Sequence, residues 1–186
     1  MDDAAIVLLA GGEATRFPDK LQRTIGGRPL LLHVYERLRG PWPIYVAAKG
    51  SFAPDVDAQL DCTILIDRWP RRGPLAALLS ACGAIEARYV YAVAADMPNV
   101  DRGLLEELAR DVHDGDEAIV PEHGGRIEPL AALYERKALL RESAEIATRE
   151  GGALHALIAR LRARFVPFSD APFLNVNTPA DFERTS

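Results

Sequence analysis

Two glycines and two cations follow the first apolar run of the chain. Residues 7–22 read VLLAGGEATRFPDKLQ, so Gly11 and Gly12 precede Arg16 and Lys20. Glycine has no Cβ, which lets backbone N–H groups approach an anion closely. Lysine supplies positive charge, and arginine can bind phosphate oxygens bidentately. This combination favours the phosphates of a nucleotide, and the alternative is a Gly-Gly turn with solvated cations beside it.

Two common phosphate-binding motifs do not match this stretch. Asp19 precedes Lys20 and Leu21 follows it, so the segment is not the G-x-x-x-x-G-K-[ST] loop. The spacing of its glycines also differs from G-x-G-x-x-G. A P-loop NTPase and a simple dinucleotide dehydrogenase are therefore disfavoured.

A carboxylate stands at the end of another apolar run, in AADMPNV. Asp96 follows Ala94 and Ala95, and Pro98 forces the chain to turn. Mg²⁺ typically binds one or two protein carboxylates together with phosphate oxygens of the substrate. We therefore interpret Asp96 as a magnesium ligand beside the phosphate site. The alternative role is a cap of the next helix or turn.

The segments that must position these residues alternate between strand and helix patterns. This alternation predicts an α/β fold with a mostly parallel sheet. Strands are predicted at 6–10, 44–48, 63–66, 89–95, 118–121, 128–134 and 165–168, and helices at 29–40, from 74, 102–112, 136–147 and 153–162. In open α/β sheets, ligands bind beyond the carboxyl ends of the strands. The Gly11-Gly12 loop, Asp67 and Asp96 each follow a strand and should meet there.

Composition limits the classes of protein that the chain can be. It has 186 residues, 48% hydrophobic and 26% charged, which suits one globular domain spanning 1–186. The net charge of -5 argues against a nucleic-acid partner. The acidic N-terminus and the lack of an apolar run near about 18 residues predict a cytoplasmic protein without a membrane partner. Cys62 and Cys82 lack the spacing of a zinc or redox site and are read as core residues.

Five motifs, in this order, resemble the molybdenum cofactor guanylyltransferases of the MobA-like nucleotidyltransferase family. They are LAGG with Arg16 and DK, RRGPLAAL, AADMP, EPLAALY and FLNVNTPADF. The resemblance covers nearly the whole chain. It implies a Rossmann-like three-layer fold of the nucleotide-diphospho-sugar-transferase type. It also implies transfer of GMP from Mg·GTP to molybdopterin, with release of pyrophosphate.

The resemblance also implies roles for individual residues. Leu9, Ala10, Gly11 and Gly12 would hold the nucleotide, with Lys20 and Arg16 on its phosphates, Asp67 at the base or ribose and Asp96 on Mg²⁺. Asn175 and Asn177 would bind the acceptor or the metal. For Asp67, an ion pair with the arginines that follow it is the alternative, and for the two asparagines it is bonding to the loop backbone. The family assignment further implies a monomer or weak oligomer that contacts molybdoenzymes or other cofactor-biosynthesis proteins.

The chain departs from the family pattern at four places. The usual loop Arg-Met-Gly-Gly-x-Asp-Lys is two residues shorter here, reading RFPDK. Lys49 follows two alanines where relatives often carry an asparagine, and Ala77 replaces the second glycine of GPLAG. Ala95 precedes Asp96 where relatives often carry a cysteine. These changes leave other bases and acceptors open, as in a molybdopterin cytidylyltransferase or a sugar- or alditol-phosphate nucleotidyltransferase.

Nucleotidyl transfer requires no covalent nucleophile, because positioning and charge neutralisation supply most of the catalysis. The four histidines, His33, His113, His123 and His155, show no ligand spacing, and none is expected to be catalytic. Two other classes remain as alternatives. A nucleotide-binding regulator would have less need of Lys20 and Asp96, and an NAD(P)-dependent oxidoreductase would need the missing glycine fingerprint.

Overall fold

The chain forms an α/β structure around one large, mostly parallel sheet, as predicted. The computed structural model describes residues 1–11, 20–66, 73–146 and 154–183. Three of the predicted site residues, Gly12, Arg16 and Asp67, lie outside the described residues, as does the arginine loop after Asp67.

The main sheet has eight strands in the order β10-β7-β9-β6-β1-β4-β5, with β8 paired to β7. Only β9 and β8 run antiparallel to their neighbours in this sheet. A separate hairpin is formed by β2 and β3. The bounds are β1 Ala4–Leu9, β2 Thr24–Ile25, β3 Arg28–Pro29, β4 Ile44–Ala48, β5 Thr63–Ile66, β6 Tyr89–Ala94, β7 Ala118–His123, β8 Arg126–Ile127, β9 Ala131–Glu135 and β10 Ala163–Pro167.

Helices cover both faces of the sheet and make it the middle of three layers. Alternate residues of β1 point to opposite faces, so Ile6 and Leu8 join one apolar cluster and Val7 joins the other. The first cluster includes α1 and α4, and the second includes α3, α5 and α6. The bounds are α1 Leu30–Leu38, α2 Pro54–Asp57, α3 Pro74–Cys82, α4 Arg102–Arg110, α5 Arg136–Ile146, α6 Leu154–Ile158 and α7 Pro179–Glu183.

The strand order changes direction at β1. From β1 the chain proceeds through β4 to β5 on one side, and then returns to place β6 on the other side. Ligands of open α/β sheets bind at such a switch point, beyond the carboxyl ends of the strands. Gly11 follows β1 and Asp96 follows β6, so the topology brings the two predicted site segments together.

Two short hairpins were not predicted. Gly26 and Gly27 have φ of 56° and 80° between β2 and β3, and Gly124 and Gly125 have φ of 51° and 73° between β7 and β8. Two consecutive residues with positive φ form the tight turn that matches the twist of antiparallel strands. The Gly-Gly pairs were the available signal, but strands of two residues are too short to show a hydrophobic period. Across the described residues, no helix has the length and apolar character of a membrane span.

Candidate functional site

Backbone hydrogen bonds fix the ends of β1 and β6 beside each other. Ala95 N–H donates to the carbonyl of Leu9 at 3.1 Å, and Ala10 N–H donates to the carbonyl of Ala47 at 2.8 Å. The pairing therefore extends past the last residue of each strand. As a result, Gly11 and Asp96 emerge at one edge of the sheet with little freedom to move apart.

Lys20 points into a group of oxygen atoms at this edge. Its Nζ lies 2.5 Å from Asp96 Oδ2, 3.3 Å from Asn177 Oδ1 and 3.4 Å from the carbonyl oxygen of Val176. The side chains of Lys20 and Asp96 are only 15% and 21% exposed. We call Lys20, Asp96, Val176 and Asn177 the lysine cluster. It gathers one cation and three oxygen ligands from segments far apart in the sequence.

The oxygens of the lysine cluster also suit a magnesium ion. A carboxylate, an amide oxygen and a backbone carbonyl are the hard ligands that Mg²⁺ accepts, and phosphate oxygens can complete its coordination. The Lys20 ammonium already occupies the position of a cation among them. The described residues contain no group of three or more His, Cys, Asp or Glu that could hold a metal alone.

A cavity of about 310 Å³ opens beside the lysine cluster. Much of its wall is apolar, and it has the size for a nucleotide base and sugar. The lining residues are Leu9, Ala10, Gly11, Lys20, Leu21, Gln22, Phe52, Gly73, Pro74, Ala77, Ala94, Asp96 and Leu130. Four of the predicted nucleotide residues that the structure describes thus share one cavity with Lys20.

Two glycines of the cavity wall have different reasons to be glycine. Gly73 precedes α3 with φ 119° and ψ 163°, a conformation that residues with a Cβ rarely adopt. Gly11 has no positive φ of this kind, and among the described residues the nearest atom to a Cβ built on it is Lys49 Cγ, at 3.6 Å. The packing of the described residues does not require glycine at position 11. Close approach of a ligand to the backbone would explain the glycine at position 11.

The segment that carries the two asparagines is held by burial and by capping. Val176 is fully buried, and its N–H donates to the Asp96 carbonyl at 2.8 Å, which brings Asn177 to Lys20. Asn175 is partly exposed on the other side of Val176. Thr178 N–H and Oγ1 both bond to Asp181 Oδ2, at 2.8 and 2.9 Å, at the start of α7. Asp181 N–H donates in turn to Thr178 Oγ1 at 3.3 Å, so Thr178 caps the start of α7.

The cysteines and histidines lie outside the lysine cluster. Burial raises the pKa of the Cys82 thiol to about 12 and that of the partly buried Cys62 to about 11, so both are neutral. Burial and the nearby Arg37 lower the pKa of His33. His123 instead bonds to two carboxylates at the end of β7. None of the four histidines lines the cavity beside Lys20.

The sequence did not indicate two parts of the site. The carbonyl of Val176 faces Lys20 because the Val176 side chain is buried, and no residue type marks such a backbone oxygen. Phe52 and Leu130 line the cavity from the loops before α2 and β9. Phe52 lies in a short stretch without periodicity. The EPLAALY stretch was predicted as a strand, but it gave no sign that Leu130 would face a ligand.

Comparison with known proteins agrees with this architecture. The family described as MobA-like NTP transferase domain matches residues 6–177. A protein of Natronomonas pharaonis named probable molybdenum cofactor guanylyltransferase is 33% identical, with 99% of this chain and 97% of that protein covered.

Two solved structures share the fold. One is molybdopterin-guanine dinucleotide biosynthesis protein A from Archaeoglobus fulgidus, with a TM-score of 0.79, 23% identity and coverage of 97% of this chain and 96% of that one. The other is 4-diphosphocytidyl-2C-methyl-D-erythritol synthase from Anaerococcus prevotii, with a TM-score of 0.77, 12% identity and coverage of 98% and 93%.

Proposed function

Because the chain belongs to the MobA-like NTP transferase family, we propose that it transfers GMP from GTP to the phosphate of molybdopterin. Relatives along its whole length carry the name molybdenum cofactor guanylyltransferase, which supports both the nucleotide and the acceptor. Membership of the family makes the chain a nucleotidyltransferase. The choice of guanine and of molybdopterin is the proposal.

One observation carries the proposal most directly. Lys20 and Asp96 form an ion pair in the wall of a cavity that has the size for a nucleotide base and sugar, at the switch point of the sheet. A triphosphate bound with its base in this cavity would place its phosphates at the lysine cluster. That position provides positive charge for the phosphates and oxygen ligands for their metal.

The reaction needs no covalent intermediate with the protein. An oxygen of the acceptor phosphate attacks the α-phosphorus in line, the bond from that phosphorus to the α–β bridging oxygen breaks, and pyrophosphate leaves. In this proposal the Lys20 ammonium neutralises the phosphates, and the Gly11 backbone lies against them. Asp96 and Asn177 would hold Mg²⁺, which supplies charge neutralisation at the reacting phosphate when bound.

The remaining predicted residues complete the proposal. Gly12 and Arg16 would continue the phosphate contacts from Gly11 towards Lys20. Asp67 directly follows β5, whose carboxyl end lies on the same edge of the sheet as that of β4, and it would contact the base or ribose. Asn175 would face the acceptor. The proposal includes a cytoplasmic monomer or weak oligomer that passes its product to molybdoenzymes or other cofactor-biosynthesis proteins.

A related transferase with another base is the second candidate. The Anaerococcus structure, named 4-diphosphocytidyl-2C-methyl-D-erythritol synthase, shares this fold. Ala77, one of the departures from the family pattern, also lines the cavity. Base choice is therefore the part of the proposal to test first.

Pyrophosphate release measured with GTP, CTP, ATP and UTP, each with molybdopterin, with a sugar phosphate and with no acceptor, tests the proposal. We expect release only with Mg²⁺, GTP and molybdopterin together. Release with CTP and molybdopterin, but not with GTP, would show that the enzyme selects cytosine and not guanine. No release with any nucleotide and molybdopterin, but release with a sugar phosphate, would overturn the acceptor. The same assay on Asp96→Asn tests the role of this carboxylate, with Asp101→Asn as the control. Asp101 is a carboxylate 45% exposed at the start of α4, away from the cavity.

A further inference from the structure

We propose that His123 is a positioning residue, which holds residues 170–177 so that Val176 and Asn177 face Lys20. This inference rests on the proposed function, because it assigns the segment a task in that reaction. Nothing in the resemblance or in the motifs indicates a role for His123. The proposal comes from the contacts that its ring makes on both sides.

Both ring nitrogens of His123 bind a carboxylate. Nδ1 lies 2.8 Å from Asp170 Oδ1, and Nε2 lies 2.8 Å from Glu128 Oε1. The ring also stacks on Phe173, with centroids 4.5 Å apart and planes inclined by 22°. The side chain is only 11% exposed. We call His123, Glu128, Asp170 and Phe173 the histidine clasp, which joins the end of β7 to the start of the segment.

The turn after β7 is shaped to admit this contact. Gly124 has φ 51°, and a Cβ built on it would lie 3.2 Å from Asp170 Oδ1. A side chain at position 124 would therefore be strained and would also press on the carboxylate that His123 holds. The glycine serves the tight turn and the approach of Asp170 together.

The clasp and the lysine cluster are the two ends of one short segment. Between them, Asn99 Nδ2 donates to the Ala171 carbonyl at 3.0 Å, and Val176 N–H donates to the Asp96 carbonyl at 2.8 Å. Asn99 and Asp96 lie in the same loop after β6. The segment therefore bridges the carboxyl ends of β7 and β6, and only six residues separate Asp170 from Asn177. Because the segment is this short, a displacement of Asp170 should also move Asn177.

Protonation determines how many carboxylates His123 can hold. A neutral imidazole has one N–H donor, whereas the imidazolium has two. Burial by itself lowers the pKa of His123, but the hydrogen bonds to Glu128 and Asp170 outweigh it and raise the pKa above its ordinary value. A second cavity is lined by His123, Asp170 and Arg126 from β8, and among the described residues Arg126 is its cation, with Glu128 and Asp170 as the anions beside the ring.

The sign of the pH effect follows from these contacts. Folding raises the pKa of His123, so protonation of its ring stabilises the clasp at low pH. That stability is lost as the pH rises through the pKa that His123 has in the folded protein. Asp170 is 80% exposed and Glu128 only 17%, so water can solvate Asp170 at less cost. Asp170 should therefore be the partner released at alkaline pH. Asp170 belongs to the segment that carries Asn177, so release of Asp170 frees that segment.

The test compares His123→Gln and Asp170→Ala with Asp116→Asn. Asp170 is exposed, so its variant keeps the test valid if His123→Gln fails to fold. Asp116 is the matched control, because its carboxylate binds Arg164 at 2.7 Å. This ion pair lies beside β7 and β10, at the end of these strands opposite to His123 and Asp170. Each variant is measured for hydrogen exchange of amides 171 and 173–177, and for steady-state kinetics with GTP and molybdopterin between about pH 6 and 9.

We expect both clasp variants to exchange the Val176 amide about tenfold faster and to lose about tenfold in kcat/KM for molybdopterin, with little change in the KM for GTP. The ratio of wild-type to variant kcat/KM should fall as pH rises, and Asp116→Asn should show none of these changes. Unchanged exchange, an equal loss for both substrates, or a ratio independent of pH would overturn the proposal. Exchange needs no substrate, so it tests the clasp even if the wild type releases no pyrophosphate, which would overturn the proposed function alone.

Discussion

Replacing Lys20 by methionine should change metal and nucleotide binding in opposite directions. In the free protein, the ammonium of Lys20 occupies the oxygen ligands of Asp96, Asn177 and Val176. A divalent cation must displace it before it can bind those oxygens. The bond to Asp96 is the one between two charged groups, and a hydrogen bond of that kind contributes about 1.5–3 kcal/mol in net terms. Lys20→Met removes that competition, so Mg²⁺ without nucleotide should bind about 10- to 150-fold more tightly. The same variant should bind GTP more weakly than wild type, while its affinity for guanosine is unchanged, because the charge acts on phosphates.

The assay follows the rise in melting temperature with Mg²⁺ concentration, and calorimetry with Mn²⁺ gives the affinity directly. Arg37→Met is the control, since Arg37 binds the carboxylate of Asp101 at 3.1 Å on an exposed surface. It should leave metal affinity unchanged. The double variant Lys20→Met with Asp96→Asn should lose the gain. Equal metal affinity in Lys20→Met and wild type would refute the reasoning that one set of oxygens serves both cations.

Four further variants test individual residues. Asp96→Asn should lower turnover by about 100-fold or more at saturating Mg²⁺ with an unchanged circular dichroism spectrum, because it removes a charged ligand of the reacting centre; turnover near the wild-type rate would contradict the role in metal binding. Gly11→Ala should keep or slightly raise the melting temperature but weaken GTP binding, and wild-type GTP affinity in this variant would exclude backbone contact at position 11. Gly73→Ala should instead lower the free energy of unfolding by about 1–2 kcal/mol, because Gly73 has a φ of 119°. Asp67→Ala should weaken GTP or CTP in calorimetric titrations, and wild-type affinity for both would remove Asp67 from the site.

The fold could be predicted from the sequence where elements are long enough to show a period. The spacing of Leu30, Leu31, Val34, Tyr35 and Leu38 predicts α1, which the structure has at Leu30–Leu38. The continuous apolar runs of β1 and β6 indicate strands buried on both faces, and both lie in the middle of the sheet. Strands of two residues carry no such pattern. Their Gly-Gly turns are the only local trace of them.

The meeting of Gly11 and Asp96 was predictable for a topological reason. Each residue follows a strand directly, and parallel strands end at a common edge. The contacts of His123 had no such basis. Its partners lie five and 47 positions away, and the second depends on the Gly124 turn and on the path of the chain after β10. Neither distance in sequence resembles the spacing of a binding motif. Phe173, three residues after Asp170, stacks on the same ring.

The lysine cluster shows why residue types alone could not place Asn177. Lys20 and Asn177 are separated by 157 positions, and no local preference relates them. Their contact is determined by Val176, whose side chain is fully buried between two polar residues. Burial of this valine directs its N–H to the Asp96 carbonyl and its own carbonyl to Lys20. The hydrophobic effect thus sets the position of a polar centre here, because the alternation in Asn-Val-Asn turns one apolar side chain inward. The asparagine that follows must then lie at the edge of the sheet, beside the carboxylate that ends β6.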